Sequence, residues 1–222
     1  MAEWYVDYSG GDDTTGTGAI GAPYKTVAKA LTVWAPSDRI NLKNNAVHVV
    51  TSALQPTGAM GGSTGVLASV IQGYTSAAGD GGVAEITCAT NSVSIFNFLA
   101  GTSATFFKFC DLKLSHTAAT RGKGITGATG AGSTQSSLLI DNVEIAGCSN
   151  GHDSASRIGL SGWIRKLYIH DCTSSAIINF GGAVHMIDCR IDNNAGSGIV
   201  MTTNANPTKS TIFSKCLITR CS

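Results

Sequence analysis

A short apolar pattern returns along the second half of this chain at uneven steps, and it constrains the fold more than any other feature. Phe109 to Leu114 (FCDLKL), Ile140 to Ile145 (IDNVEI), Ile164 to Ile169 (IRKLYI), Met186 to Ile191 (MIDCRI) and Phe213 to Ile218 (FSKCLI) share one order. It runs apolar, two polar or turn-like residues, apolar, exposed, apolar. The closing anchors Leu114, Ile145, Ile169, Ile191 and Ile218 lie 31, 24, 22 and 27 residues apart. Alternation within each segment is the period of a strand. A constant strand position with a varying step means stacked coils joined by loops of unequal length. Ile177 and Ile199 form a second ladder, each eight residues after an anchor, so every coil carries a further strand. The pattern predicts an all-β solenoid, a right-handed parallel β-helix.

The first half is less regular. Ile40 to Leu42, Val47 to Val50, Val66 to Ile71, Ala84 to Cys88 and Val93 to Phe98 read as short strands between Gly-rich connections. Lys25 to Val33 is different, because Val27, Ala30, Leu31 and Val33 fall at helical spacing, with Pro23 before and Pro36 after. This predicts a short capping α-helix over the open end of the first coil, where the core of a solenoid would otherwise meet water. The expected organisation is a lead-in strand, Gly/Asp loop and helix over residues 1–38, then coils over 39–222. The pattern is still running in the last residues, LITRCS, which raises the expectation of truncation, further C-terminal coils or a homotrimer.

The seven cysteines match no zinc-site or CxxC spacing. Thr117, Cys148, Cys172, Asn194 and Cys221 each fall three residues after an anchor. Leu112, Val143, Leu167, Cys189 and Cys216 each fall two before one. Both rows read as inward or turn-lining, where a thiol acts as a small hydrophobe. Stacked side chains on parallel strands stay near the ~4.8 Å strand spacing. That exceeds the ~3.8 Å a disulfide prefers between Cβ atoms, so free thiols are expected.

Trp4 to Leu31 (WYVDYSGGDDTTGTGAIGAPYKTVAKAL) resembles the N-terminal segment of pectin-lyase-like right-handed β-helix proteins. There a YVD strand, a Gly/Asp loop, a G-T turn and a P-x-K-T helix recur together. Val70 to Ile86 (VIQGYTSAAGDGGVAEI) is similar to a coil of the same group. The resemblance implies the fold over nearly the whole chain but no single activity, since the superfamily mixes lyases, hydrolases, epimerases, adhesins and phage tail proteins. Lyases of the group carry acidic calcium ligands and a basic residue on the outer face of one sheet, and no set here matches them residue by residue.

Candidate functional residues come from the outward rows. Lys113, Glu144, Tyr168, Arg190 and Leu217 each precede an anchor. Glu144, Tyr168 and Arg190 place an acid, an aromatic and a base on successive coils, a strip suited to a sugar chain or simply a solvated sheet face. His170, Asp171 and the segment Gly147 to Gly162, with His152, Asp153 and Arg157, lie at its edge. Asp111, Asn142, Lys166, Asp188 and Lys215 read as a surface charge ladder. Asp171, Asp192 and Asn193 read as turn formers, with Arg220 at the matching place beyond its anchor. Asp7, Asp12 and Asp13 in the Gly-rich loop suggest Asx turns rather than a calcium site. No metal site or cofactor is expected, and no catalytic set is recognisable.

The net charge of +1, without a basic run, speaks against a nucleic-acid partner. No apolar stretch is long enough for a membrane span. With no secretory signal visible at Met1 to Asp7, two readings remain. One is a surface-displayed β-helix in a phage tail or virion, or an extracellular glycan-recognition module, with a polysaccharide as partner. The alternative is a polysaccharide lyase or glycoside hydrolase, or a fragment of one.

Overall fold

A computed structural model of the chain describes residues 1–64, 67–99, 106–127, 136–153, 158–178, 184–200 and 211–222. Val66 and Arg157, both singled out by the sequence, lie outside them. Two parallel sheets wind around one core. The long sheet stacks Glu3–Val6, Arg39–Lys43, Ser69–Tyr74, Phe106–His116, Ser136–Ala146, Ile158–His170, Val184–Ile187 and Thr211–Ser214. His48–Val50, Ala84–Cys88, Arg190–Asn194 and Leu217–Cys221 join it at the side. The short sheet stacks Phe96–Phe98, Ile125–Gly127, His152–Asp153, Ile177–Ile178 and Ile199–Val200.

The registers reproduce the repeat. Ile86 pairs with Leu114, Leu114 with Ile145, Ile145 with Ile169, Ile169 with Ile191 and Ile191 with Ile218. Ile86 to Ile191 in this column are buried, whereas Ile218 on the last coil is 47% exposed. The second ladder is equally regular: Phe96, Ile125, His152, Ile177 and Ile199 are successive partners. Each anchor therefore gains an apolar neighbour on the adjacent coil, and burying such a side chain contributes about 1.5–3 kcal/mol.

Within each coil the long strand turns a corner at a single residue. Asp111, Asn142, Lys166, Asp188 and Lys215 all sit in the left-handed region, with φ between 49° and 56°. This corrects the charge-ladder reading of that row. Its alternating signs do not pair, and its contact is a side-chain ladder from Asn142 Nδ2 to Asp111 Oδ1 at 2.7 Å. Asx side chains tolerate this conformation, which explains three of the five corner residues. A second corner follows the anchors at Gly147, Asp171, Asn193 and Arg220, again at positive φ. The turn reading holds for Asp171 and Asn193, and Arg220 takes the same backbone geometry. Asp192 departs from it, being buried beneath two arginines as described below.

The helix runs Val27–Leu31, capped by the Thr26 hydroxyl, which accepts from the Lys29 N–H at 3.1 Å. Its Val27, Ala30 and Leu31 are buried with Trp34 in the core that Val6, Ile40 and Leu42 begin. Of the aspartates of the preceding loop, Asp7 and Asp12 form Asx turns, whereas Asp13 ties the loop to the helix entry 12 and 13 residues on. Asp7 accepts from the N–H groups of Ser9 and Gly10, Asp12 from Thr14 and Thr15, and Asp13 from Lys25 and Thr26. Burial raises the Asp7 pKa, but the Gly10 N–H, Lys43, Asn45 and Ser9 outweigh it and hold the carboxyl below the usual range. In GDGG, Asp80 accepts from the N–H groups of Thr75, Ser76, Ala77 and Gly82, while Gly79 and Gly81 supply positive φ.

All seven cysteines are unpaired. Cys148 and Cys172 keep the predicted row. One coil earlier, however, His116 takes the place expected of Thr117, because His116 pairs in register with Cys88 and Thr117 is exposed. Burial raises the thiols of Cys110, Cys172 and Cys189 to about 11, leaving them protonated and unreactive. Thiol titration of the denatured, unreduced protein is expected to count close to seven groups. A count of one, with three disulfides, would overturn the free-thiol ladder.

Candidate outer-face site

The site follows from the column beside the anchors. On a strand, the residue before an inward anchor faces out. Glu85, Lys113, Glu144, Tyr168, Arg190 and Leu217 are successive in-register partners, so they line up on the outer face. The sequence singled out the middle of this row, and the structure extends it by two coils. Lys113 Nζ lies 3.6 Å from Glu85 and 3.8 Å from Glu144, bridging the two carboxylates. Glu85 is recoverable from the sequence, because AEITC repeats the apolar–exposed–apolar close of the later segments.

The five candidate residues come together. His170 follows Tyr168 by two positions on the same face, and their rings stack with centroids 4.2 Å apart at 22°. The Arg190 guanidinium lies over the Tyr168 ring at 5.1 Å, a cation–π contact. His170 Nε2 is 3.2 Å from Glu144 Oε1, and its Nδ1 is 2.7 Å from Asp171 Oδ2. A neutral imidazole can donate to one of these carboxylates, a protonated one to both. Hydrogen bonds from His170 and then from Asn193 hold the Asp171 carboxyl below its usual range.

Beneath this surface lies a buried anion. Asp192 is register partner to His170 on one side and Thr219 on the other, and its side chain is 1% exposed. Its carboxylate accepts from Arg220 Nε and Nη2, from the Thr219 hydroxyl at 2.9 Å and from Arg190 Nη2 at 2.7 Å. Arg220 first, then Thr219 and Arg190, hold its pKa well below the carboxylate range against the desolvation that raises it. Asp192 fixes Arg190 in place yet uses only part of its donor fork, and the Arg190 side chain stays 50% exposed. The remaining N–H groups are available to a ligand.

Part of the segment Gly147 to Gly162 is strand. His152–Asp153 is a strand of the short sheet, with His152 in the inward column and Asp153 bound to Lys123 Nζ. The sequence also passes over Trp163. It is 56% exposed and packs on His185 of the next coil, ring centroids 4.7 Å apart. It follows an irregularity between Leu160 and Ile164, where the register with the preceding coil shifts. No spacing rule anticipates that shift. Among the described residues, no cluster of three His, Cys, Asp or Glu side chains could hold a metal ion. No described helix is long and apolar enough to cross a membrane.

Corner residues, uniformly parallel registers and stacked inward columns define a parallel β-helix protein with a charged and aromatic outer track. The family described as "Right handed beta helix region" matches residues 98–222, more than half of the chain, and the chain belongs to it. This agrees with the resemblance to pectin-lyase-like proteins. A solved structure of a protein named rhamnogalacturonan lyase is similar at 12% identity with a TM-score of 0.49, covering 98% of this chain and 62% of that one. This chain thus spans less than two thirds of that protein's length. Likeness at this level speaks to neither substrate nor activity. No curated protein sequence matches the chain.

Proposed function

We propose that the protein is a surface-displayed β-helix that recognises an extended glycan along the track Glu85–Lys113–Glu144–Tyr168–Arg190, as a phage tail or virion component or an extracellular binding module. The observation that carries this reading is the convergence of acid, aromatic and base on one straight row of adjacent coils, held by the Asp192 anchor. A linear polysaccharide needs a straight, rigid set of donors and acceptors, and side chains locked by neighbouring contacts lose little entropy on binding. Arg190 offers free N–H donors and Glu144 a part-exposed acceptor. The Tyr168 ring is already flanked by His170 and Arg190, so it serves as the base of the track.

Glycan-array binding is expected for the wild type, with the Tyr168→Ala/Arg190→Ala double variant losing roughly tenfold or more in affinity, about 1.4 kcal/mol. Equal binding by the two proteins would move the site elsewhere, and absence of binding to any glycan would leave a purely structural role. The second reading, a polysaccharide lyase or hydrolase, draws on His170, an imidazole held by two carboxylates beside an exposed arginine. Appearance of unsaturated or reducing ends during incubation with a bound polysaccharide, abolished by His170→Ala, would favour it.

A further inference from the structure

His170 stands on the outer track with a carboxylate at each ring nitrogen. Its Nδ1 lies 2.7 Å from Asp171 Oδ2 and its Nε2 lies 3.2 Å from Glu144 Oε1, while its side chain is 17% exposed. A carboxylate only accepts, so both contacts are attractive only while both nitrogens carry a proton. A neutral ring has one N–H and one lone pair, and that lone pair would face a carboxylate oxygen. The arrangement is therefore complete only for the imidazolium.

The surroundings decide which contact a neutral ring gives up. The bond to Asp171 is the shorter one, and Asp171 is also fixed from elsewhere. Asn193 Nδ2 donates to its Oδ1, and Arg121 Nη1 donates to its backbone carbonyl at 2.9 Å. Glu144 is held less firmly, with Lys113 at 3.8 Å, and its side chain is 36% exposed. The last proton therefore stays on Nδ1, and Glu144 is the group let go. On the next coil, Asp192 is the register partner of His170, but Arg220, Thr219 and Arg190 already occupy its carboxylate. Those partners keep it ionised well below the range in which an imidazole titrates. Tyr168 completes the surroundings, stacked on the His170 ring beneath Arg190.

We propose that His170 is a proton-operated latch on the track. The imidazolium ties Glu144 down, and loss of its Nε2 proton to solvent frees Glu144 Oε1 to accept a hydrogen bond from a glycan hydroxyl. The latch rests on the glycan reading of the track and adds its regulation. Its sign is fixed by the proton count: binding strengthens as pH rises through the range in which an imidazole titrates, and weakens as pH falls.

The test uses the full chain and has two arms. The first needs no ligand: nitrogen NMR of the imidazoles at about pH 8, where the neutral His170 ring should carry its proton on Nδ1. His170→Phe assigns the signals by their loss. The second arm measures affinity for the glycan that binds best on the array, at about pH 8 and about pH 5. Wild type should bind roughly fivefold more weakly at the lower pH, the effect of one hydrogen bond. His170→Phe keeps a ring against Tyr168 but has no donor, so Glu144 stays free and affinity should be level between the two conditions. Both proteins retain His152, so the comparison cancels its contribution. A neutral ring protonated on Nε2 would overturn the latch, because Glu144 would then keep its bond. Glycan binding with the same pH dependence in both proteins would overturn the latch and leave the glycan reading standing. Absence of binding to any glycan at either pH would overturn both.

Discussion

Phe109→Ala is expected to destabilise the protein by about 3–5 kcal/mol, the range for removing a fully buried aromatic side chain. Phe109 is 0% exposed and stands where the two sheets meet. Its ring centroid lies 4.7 Å from that of Phe96 and 6.0 Å from that of Phe98 on the short sheet. Phe98 in turn packs on Phe107 at 5.0 Å, and Phe107 on Trp34 beneath the helix at 5.6 Å. A β-helix has no second core to compensate, because each coil touches only its neighbours. The loss should appear as a fall in Tm on the order of 10 °C for a chain of this size. Val83→Ser, at a position 46% exposed, should stay within about 0.5 kcal/mol of wild type. Equal effects of the two substitutions would contradict the placement of the phenylalanine cluster.

The second large effect concerns pH. His152 occupies an inward position between Ile125 and Ile177, is 1% exposed, and has no hydrogen-bond partner at either ring nitrogen. Burial lowers its pKa from 6.5 to about 4, with only Asp153 acting the other way. The folded pKa lies below the unfolded one, so the folded state resists the proton that the unfolded state accepts. Stability is therefore fully present above the unfolded pKa of 6.5 and is lost as pH falls towards about 4. The loss amounts to about 2 kcal/mol near pH 5 and about 3 kcal/mol below pH 4. Urea unfolding of wild type and His152→Leu, compared between about pH 7.5 and pH 5, isolates this term from other titrating groups. The variant should lack that component and be the more stable protein throughout, because leucine leaves no buried nitrogen unpaired. An identical pH dependence in both proteins would show that His152 does not sit in the column.

The sequence made the fold legible because inward positions recur with strand period: Ile145, Ile169 and Ile191 announce their column through their neighbours as well as themselves. His152 escaped that reading. A histidine between isoleucines breaks the apolar ladder, so the segment around it resembles a loop. The corner row escaped for another reason. Lys166 and Lys215 carry charges that suggest a surface ladder, whereas backbone geometry sets their position and admits a lysine at some cost in strain. Of the outer track, Glu144, Tyr168 and Arg190 were legible from the row rule. Lys113 shares that row, but its role as a bridge appears only once Glu85 is seen on the coil below. Asp192 was misread because its partners Arg190 and Arg220 converge through stacking, which no local spacing encodes.

The proposed function puts the glycan on the outer face of the long sheet, along Glu85 to Arg190. A crystal structure of the protein soaked with the oligosaccharide that binds best on the array tests this most directly. Sugar density is expected along the row from Glu144 to Arg190, with at least one hydroxyl or carboxylate on the free N–H groups of Arg190. Sugar bound only against the short sheet, with the Tyr168–Arg190 row bare, would contradict it.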